Sequence, residues 1–219
     1  MAKSEASATT FLPVPFSQAR SVAVRVLTAP ELAGRAFLEG GLVPWVVSGR
    51  ESGRLHGDVD VSVRLADMPV VRAWLGAEGL YDPALDSLNL SCNESRADFG
   101  THALVDGVLV SLCPYFFEGD ELHQRNAALE ATDGFDALLE AVVPGVAESD
   151  RFEVRALPGG LSIGCATLES VRAAKTVSGR ERDARDVAEI NRMGCDTERC
   201  ARVAAAYASM RIDCVAHGE

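Results

Sequence analysis

The sequence predicts an α/β (α+β) chain: a small mixed sheet flanked by helices, followed by a mainly helical C-terminal part. Three observations lead there. Residues 45–64 read as strand, glycine-bearing turn and strand, with Val59, Val61 and Val63 alternating along the second strand. Residues 97–117 read as two alternating strands joined by Asp106-Gly107, a dipeptide that favours a two-residue type I′ hairpin. Around them lie segments whose apolar residues recur at helical spacing, three of them in the last third of the chain.

In chain order, residues 1–15, with Pro13 and Pro15, are expected to be a flexible lead. Residues 16–27 have helical apolar spacing. Pro30 suits the first turn of a second helix over 30–39, which Gly40-Gly41 would end. The first strand is expected over 43–48 and the second over 58–64. Asp67 is placed to N-cap a helix over 68–77 that stops near Gly79. Leu88, Leu90 and Cys92 alternate as in a short strand. In the hairpin the turn sets the register, putting Val105 opposite Val108 and His102 opposite Ser111. After Glu118 a polar stretch suggests an edge strand or loop. A helix is expected over 135–143, closed by Pro144-Gly145, then short strands over 152–156 and 161–165. Thr167 would N-cap a helix over 168–177 with Gly179 as its C-terminal glycine, and helices over 183–193 and 197–213 finish the chain. The expected division is a lead (1–15), a core (16–130) and a mainly helical C-terminal part packed on that core (131–219).

Composition bounds the function. With 219 residues, 47% hydrophobic and 24% charged, the chain is long enough for one large or two small domains. No apolar run approaches the roughly 20 residues a membrane span needs, and residues 1–16 lack the apolar core of a signal peptide, so a cytoplasmic protein without a membrane partner is expected. The six cysteines lack C-x-x-C spacing and paired histidines, which argues for reduced thiols rather than zinc. A net charge of −11 disfavours a general nucleic-acid binder. The exception is local: Arg172, Lys175, Arg180, Arg182, Arg185 and Arg192 form a basic island that suits a small anion, although helical i,i+4 pairing explains some of it.

The chemistry gathers in Gly57-Asp58-Val59-Asp60-Val61. Alternation puts the valines on one face and Asp58, Asp60 and Ser62 on the other, with the two carboxylates roughly 6.5–7 Å apart along the strand. Two acids on one strand face repel unless they flank a solvated edge or share a cation. Hard divalent cations take carboxylate oxygens. Ser48-Gly49, some residues earlier, supplies a small turn whose backbone N–H groups can approach phosphate oxygens. Phosphate cradle and paired carboxylates together suit metal-assisted phosphoryl or nucleotidyl transfer.

This stretch, Ser48-Gly49 through Arg54, His56, Asp58 and Asp60, resembles the signature of the nucleotidyltransferase superfamily. It looks most like the lincosamide and aminoglycoside nucleotidyltransferases and the AbiE-type toxin nucleotidyltransferases, in which an arginine and a histidine often precede the first aspartate. A second block, Lys175-x4-Arg180-x-Arg182-Asp183-x2-Asp186, resembles the later block of the same proteins. The resemblance spans roughly residues 30–190. It implies a nucleotidyltransferase fold and transfer of a nucleotidyl group from a nucleoside triphosphate to a hydroxyl, with Mg²⁺ or Mn²⁺ as cofactor. Asp58 and Asp60 would hold the metal. Ser48, Gly49, Arg54, Lys175 and Arg182 would meet the nucleotide. The acceptor would be an antibiotic-like small molecule or, as in the toxin-type proteins, a tRNA end or a protein; the acidic balance weighs against nucleic acid. One departure stands out. Where the lincosamide-type pattern has a third carboxylate in Val-Asp-Leu-His-Pro, this chain has Val110-Ser111-Leu112-Cys113-Pro114. Ser111 cannot take a proton at neutral pH unaided, and His102 across the hairpin is the candidate catalytic base. The alternative is a catalytically weakened member that binds a nucleotide or a partner without turnover.

Overall fold

The computed structural model describes residues 11–130 and 134–217, apart from the side chains of residues 130, 134–136, 182 and 217. Its elements are β1 (Val14–Pro15), α1 (Phe16–Leu27), β2 (Ala36–Leu38), α2 (Val43–Ser48), β3 (Leu55–His56), β4 (Asp58–Arg64), α3 (Met68–Ala77), β5 (Thr101–Val105), β6 (Val108–Glu118), β7 (Glu121–Glu130), β8 (Gly134–Pro144), α4 (Glu148–Arg151), β9 (Phe152–Ala156), β10 (Ser162–Ala166), α5 (Leu168–Ser178), α6 (Ala184–Met193), α7 (Thr197–Ala208) and β11 (Arg211–His217). Among the described residues, β1 and β3 form a small pair, and nine strands form one mixed sheet in the order β11-β8-β7-β6-β4-β2-β10-β9, with β5 on the side of β6.

β4 lies at the centre because both its edges are paired. It runs antiparallel to β2 and parallel to β6. Its valines, Val59, Val61 and Val63, are fully buried, as alternation requires. The core face continues into α1, where Phe16, Ala19, Val22, Ala23, Val26 and Leu27 recur at helical spacing and are all buried. The Asp106-Gly107 hairpin has the expected register, Val105 opposite Val108 and His102 opposite Ser111. Both turn residues have positive φ, 50° and 78°, as a type I′ turn demands. Thr167 caps α5 through Ser170 N–H, and Gly179 ends it in the left-handed region.

Five expected elements are corrected. Residues 43–48 are helix α2, not a strand: Pro44 sits in its first turn, where a missing N–H costs nothing, and Gly49 closes it at φ 69°. A short apolar run does not by periodicity distinguish strand from helix. The expected helix over 30–39 gives way to turns and β2, because Ala36, Phe37 and Leu38 pair with Val63, Ser62 and Val61. Residues 135–143 lie in strand β8, zipped to β7 along its length, so ladder bonds outweigh a weak helical pattern. The last helix stops at Ala208, and β11 then pairs with β8. The C-terminal part therefore combines helices α5–α7 with strands that extend the sheet beyond the size expected. The short strand expected around residues 88–92 is also absent: Ser87–Asn89 form a 3₁₀ turn and residues 91–92 a turn. Of the expected lead, residues 1–10 lie outside the described ones, while Val14 and Pro15 pair with His56 and Leu55.

Candidate active site

The polar face of β4 opens into a cleft of about 850 Å³ whose lining includes Asp58, Asp60, Gly40, Gly41, Arg54 and Lys175. Parallel pairing with β6 puts Asp58 beside Leu109 and Asp60 beside Ser111. The loop after β2 is tied across β4 by Glu39 N–H to the Asp60 carbonyl at 2.8 Å. Gly40 then turns with φ 67°, and a Cβ there would stand 2.2 Å from Asp60 Oδ2. Only glycine lets the backbone pass so close to the carboxylate. Asp60 is held well above the usual carboxylate range, first by the Asp58 charge, then by burial and by Glu39; Lys175 and Arg180 pull it back. Two acids that raise each other's cost of ionisation, with hard oxygen donors facing one cleft, fit a divalent cation.

The facing wall comes from α5 and α6. Lys175 Nζ lies 2.8 Å from Asp183 Oδ1 and 2.8 Å from Asp186 Oδ2. Asp186, fully buried, also accepts from Trp45 Nε1 at 2.7 Å and Arg54 Nη2 at 3.0 Å. Asp183 further accepts from Ser178 Oγ and Arg180 Nε. Burial works against the Asp183 charge, but the hydrogen bonds from Lys175, Ser178 and Arg180 outweigh it and hold the carboxyl far below its ordinary value. The two sequence blocks thus meet: Arg54 of the first is bonded to Asp186 of the second. The same arginine reaches the Gly41 carbonyl at 3.4 Å, and a Cβ on Gly41 would stand 2.3 Å from its Nη2.

Below the carboxylates lies a buried polar knot. Glu39 pairs with Arg151, accepts from Ser62 Oγ at 2.5 Å and from Gln124 Nε2 at 3.0 Å. Its charge is fully used there. Cys113 lines the cleft, its thiol pushed well above the ordinary value by burial and by Asp60, Glu39 and Asp58. His56 also lines the cleft; burial, with Arg54 next, lowers it to about 4, and its Nε2 sits 2.8 Å from Ser52 Oγ.

The remaining expected residues are placed as follows. Ser48 and Gly49 end α2 on the side of β9–β10, where a Cβ on Gly49 would meet Pro158 at 2.6 Å; they do not line the cleft, and Gly40-Gly41 stands where a phosphate cradle was expected. His102 faces Ser111 in register but does not line the cleft. Its imidazole is buried, lowered to about 4 by that burial, and hydrogen-bonded to the Leu85 backbone. The Arg182 side chain lies outside the described residues. Sequence reading missed Gly40-Gly41, the Trp45 and Asp186 anchor, and the Glu39–Arg151 knot. A glycine pair one residue after the short apolar run Ala36-Phe37-Leu38 is the available signal for the first; the others join residues more than 100 apart and leave no local trace.

No family model matches the sequence, and no curated protein matches it. Several solved structures resemble it, among them the following three. One is the antibiotic-resistance factor ANT(2'')-Ia in solution, 13% identical, with 89% of this chain and 90% of that one covered at a TM-score of 0.49. Another is ANT(2'')-Ia in complex with adenylyl-2''-tobramycin, 13% identical over 88% and 95% of the two chains, TM-score 0.47. The third is the lincosamide antibiotic adenylyltransferase LnuA with lincomycin bound, 14% identical over 73% and 87%, TM-score 0.44. Among the described residues, no helix is long and apolar enough to cross a membrane.

Proposed function

We propose that this chain is a nucleotidyltransferase that moves a nucleotidyl group from a nucleoside triphosphate to a hydroxyl of a small molecule, with Mg²⁺ or Mn²⁺ held by Asp58 and Asp60. The observation that carries the reading is the juxtaposition of a carboxylate pair, a glycine backbone packed on one of those carboxylates, and Lys175, Arg180 and Arg54 on the facing wall. The metal, when bound, supplies positive charge that screens the triphosphate and polarises the phosphorus under attack. Gly40 and Gly41 let main chain approach the phosphates without a side chain in the way. Lys175 and Arg180 offset charge on the departing pyrophosphate. Asp183 and Asp186 hold Lys175 and Arg54 in place, so their orientation precedes substrate binding. The base role expected for His102 is not carried forward, because its ring is away from the cleft.

Ser111 beside Asp60, where a third acid was expected, favours a second reading: nucleotide binding without turnover. One experiment separates the two. The protein is incubated with each α-labelled triphosphate, Mg²⁺ and hydroxyl-bearing acceptors. Label transfer that disappears in Asp58→Asn and Asp60→Asn supports the enzyme. Metal-dependent nucleotide binding with no transfer supports the module. Neither binding nor transfer defeats both.

A further inference from the structure

We infer that the acceptor half of this cleft is built for an uncharged, hydroxyl-bearing molecule with an apolar body, and that it rejects polycations; the inference rests on the nucleotidyl-transfer reading above. The sheet face that carries Asp58 and Asp60 continues past β6. Ser62 lies opposite Cys113, and Cys113 Sγ is 3.5 Å from Asn126 Oδ1. Asn126 lies opposite Leu139, and Leu139 opposite Cys214. In the neighbouring row Tyr115, Gln124, Ala141 and Ile212 are successive partners. Paired residues share a face, so a floor runs from β4 to β11 across four strand spacings, roughly 19 Å. A bulge after Ala128 shifts the phase of β7 and brings Leu129 into the same cleft.

Among the described residues, no charged side chain from β6, β7, β8 or β11 lines the cleft. On the other face Glu140 pairs with Arg125 at 2.8 Å and His123 at 2.7 Å. Ile212, 59% exposed, stands over the floor as an apolar surface an acceptor would cover. The four carboxylates that do line the cleft are already committed. Asp58 and Asp60 are assigned to the metal, Asp183 is held by Lys175 and Arg180, and Glu39 by Arg151. Among the described residues they are matched by four cationic side chains, Arg54, Arg151, Lys175 and Arg180. The net charge of −11 therefore lies elsewhere on the molecule. A polyamine would lay its ammonium groups over an uncharged floor with no uncommitted carboxylate to meet them, and the loss of their hydration is not offset by an ion pair.

The test is calorimetry on the full chain, loaded with ATP and Mg²⁺. The two probes are n-octyl β-D-glucopyranoside below its micelle-forming concentration and tobramycin. The neutral glycoside is expected to bind about tenfold or more tightly than the polycation. Ile212→Glu, at an exposed position that tolerates a charge, is expected to weaken the glycoside about tenfold and to strengthen tobramycin, while ATP affinity reports that the variant is folded. Tobramycin binding as tightly as the glycoside would overturn the inference. So would a glycoside that fails to bind the nucleotide-loaded protein, or that binds Ile212→Glu equally well. Failure of ATP itself to bind would instead defeat the nucleotide reading, and this inference with it.

Discussion

Gly40 decides how close main chain comes to the carboxylate pair. Its φ of 67° costs a side-chain-bearing residue about 1–2 kcal/mol, and a Cβ 2.2 Å from Asp60 Oδ2 forces that carboxylate to move. Gly40→Ala is therefore expected to lower stability by about that amount in urea unfolding and to weaken Mg²⁺-dependent nucleotide binding by about tenfold or more. Unchanged nucleotide affinity would remove Gly40-Gly41 from the site. Two histidines supply a pH signature at the same scale. His56 and His102 are both buried and lowered to about 4, chiefly by burial. In the unfolded chain each takes a proton near pH 6.5, while in the folded protein each stays neutral down to about 4. Their contribution is thus complete above pH 6.5 and shrinks as pH falls through that window. Between pH 7.5 and 5 the loss is about 2 kcal/mol for each histidine. Urea midpoints across this range should fall, and His102→Gln should flatten the slope by the share of one proton; an unchanged slope would contradict the assigned burial.

At the scale of elements, α5 and α6 are clamped by charge rather than by apolar contact alone. Lys175, 7% exposed, bridges Asp183 and Asp186, and Asp186 carries the bond on to Trp45 of α2 and to Arg54. Removing the cation leaves two buried carboxylates short of a partner. Lys175→Met is expected to cost on the order of 3 kcal/mol, and adding Asp186→Asn should recover part of it. Denaturant unfolding of the single and double variants measures this. A single-variant cost under about 1 kcal/mol would show the clamp to be solvated.

The elements also show what was legible. The Asp106-Gly107 hairpin, the β4 alternation, the α5 cap at Thr167 and the closing Gly179 were readable because each is a local rule with one solution. Residues 43–48 and 135–143 were not, because short apolar runs fit either period until a partner strand is known. Asp58, Asp60 and Lys175, each picked out by a pattern within a few residues of chain, line one cleft. The phosphate cradle was placed at Ser48-Gly49 because a helix looked like a strand. Once α2 is a helix, the glycines that follow a strand toward Asp60 are Gly40 and Gly41.

Across the whole molecule, one sheet holds strands from both sides of residue 130. β10 from the C-terminal part pairs with β2 beside the core strand β4, and β8 and β11 continue the sheet from β7. Interior surface shared in this way should melt as one unit. Calorimetric and van't Hoff enthalpies are expected to agree in a single transition; two resolved transitions would show that the C-terminal part folds alone. The same continuity joins the Asp58–Asp60 end of the cleft to its uncharged floor.

The measurement that reaches the central claim most directly is isothermal titration of ATP into the wild type and Asp60→Asn, each with Mg²⁺ and with EDTA. The carboxylate pair beside Gly40 predicts one-site binding that needs Mg²⁺ and that falls about tenfold or more in Asp60→Asn. Equal affinity with and without the metal, or in the variant, would contradict it.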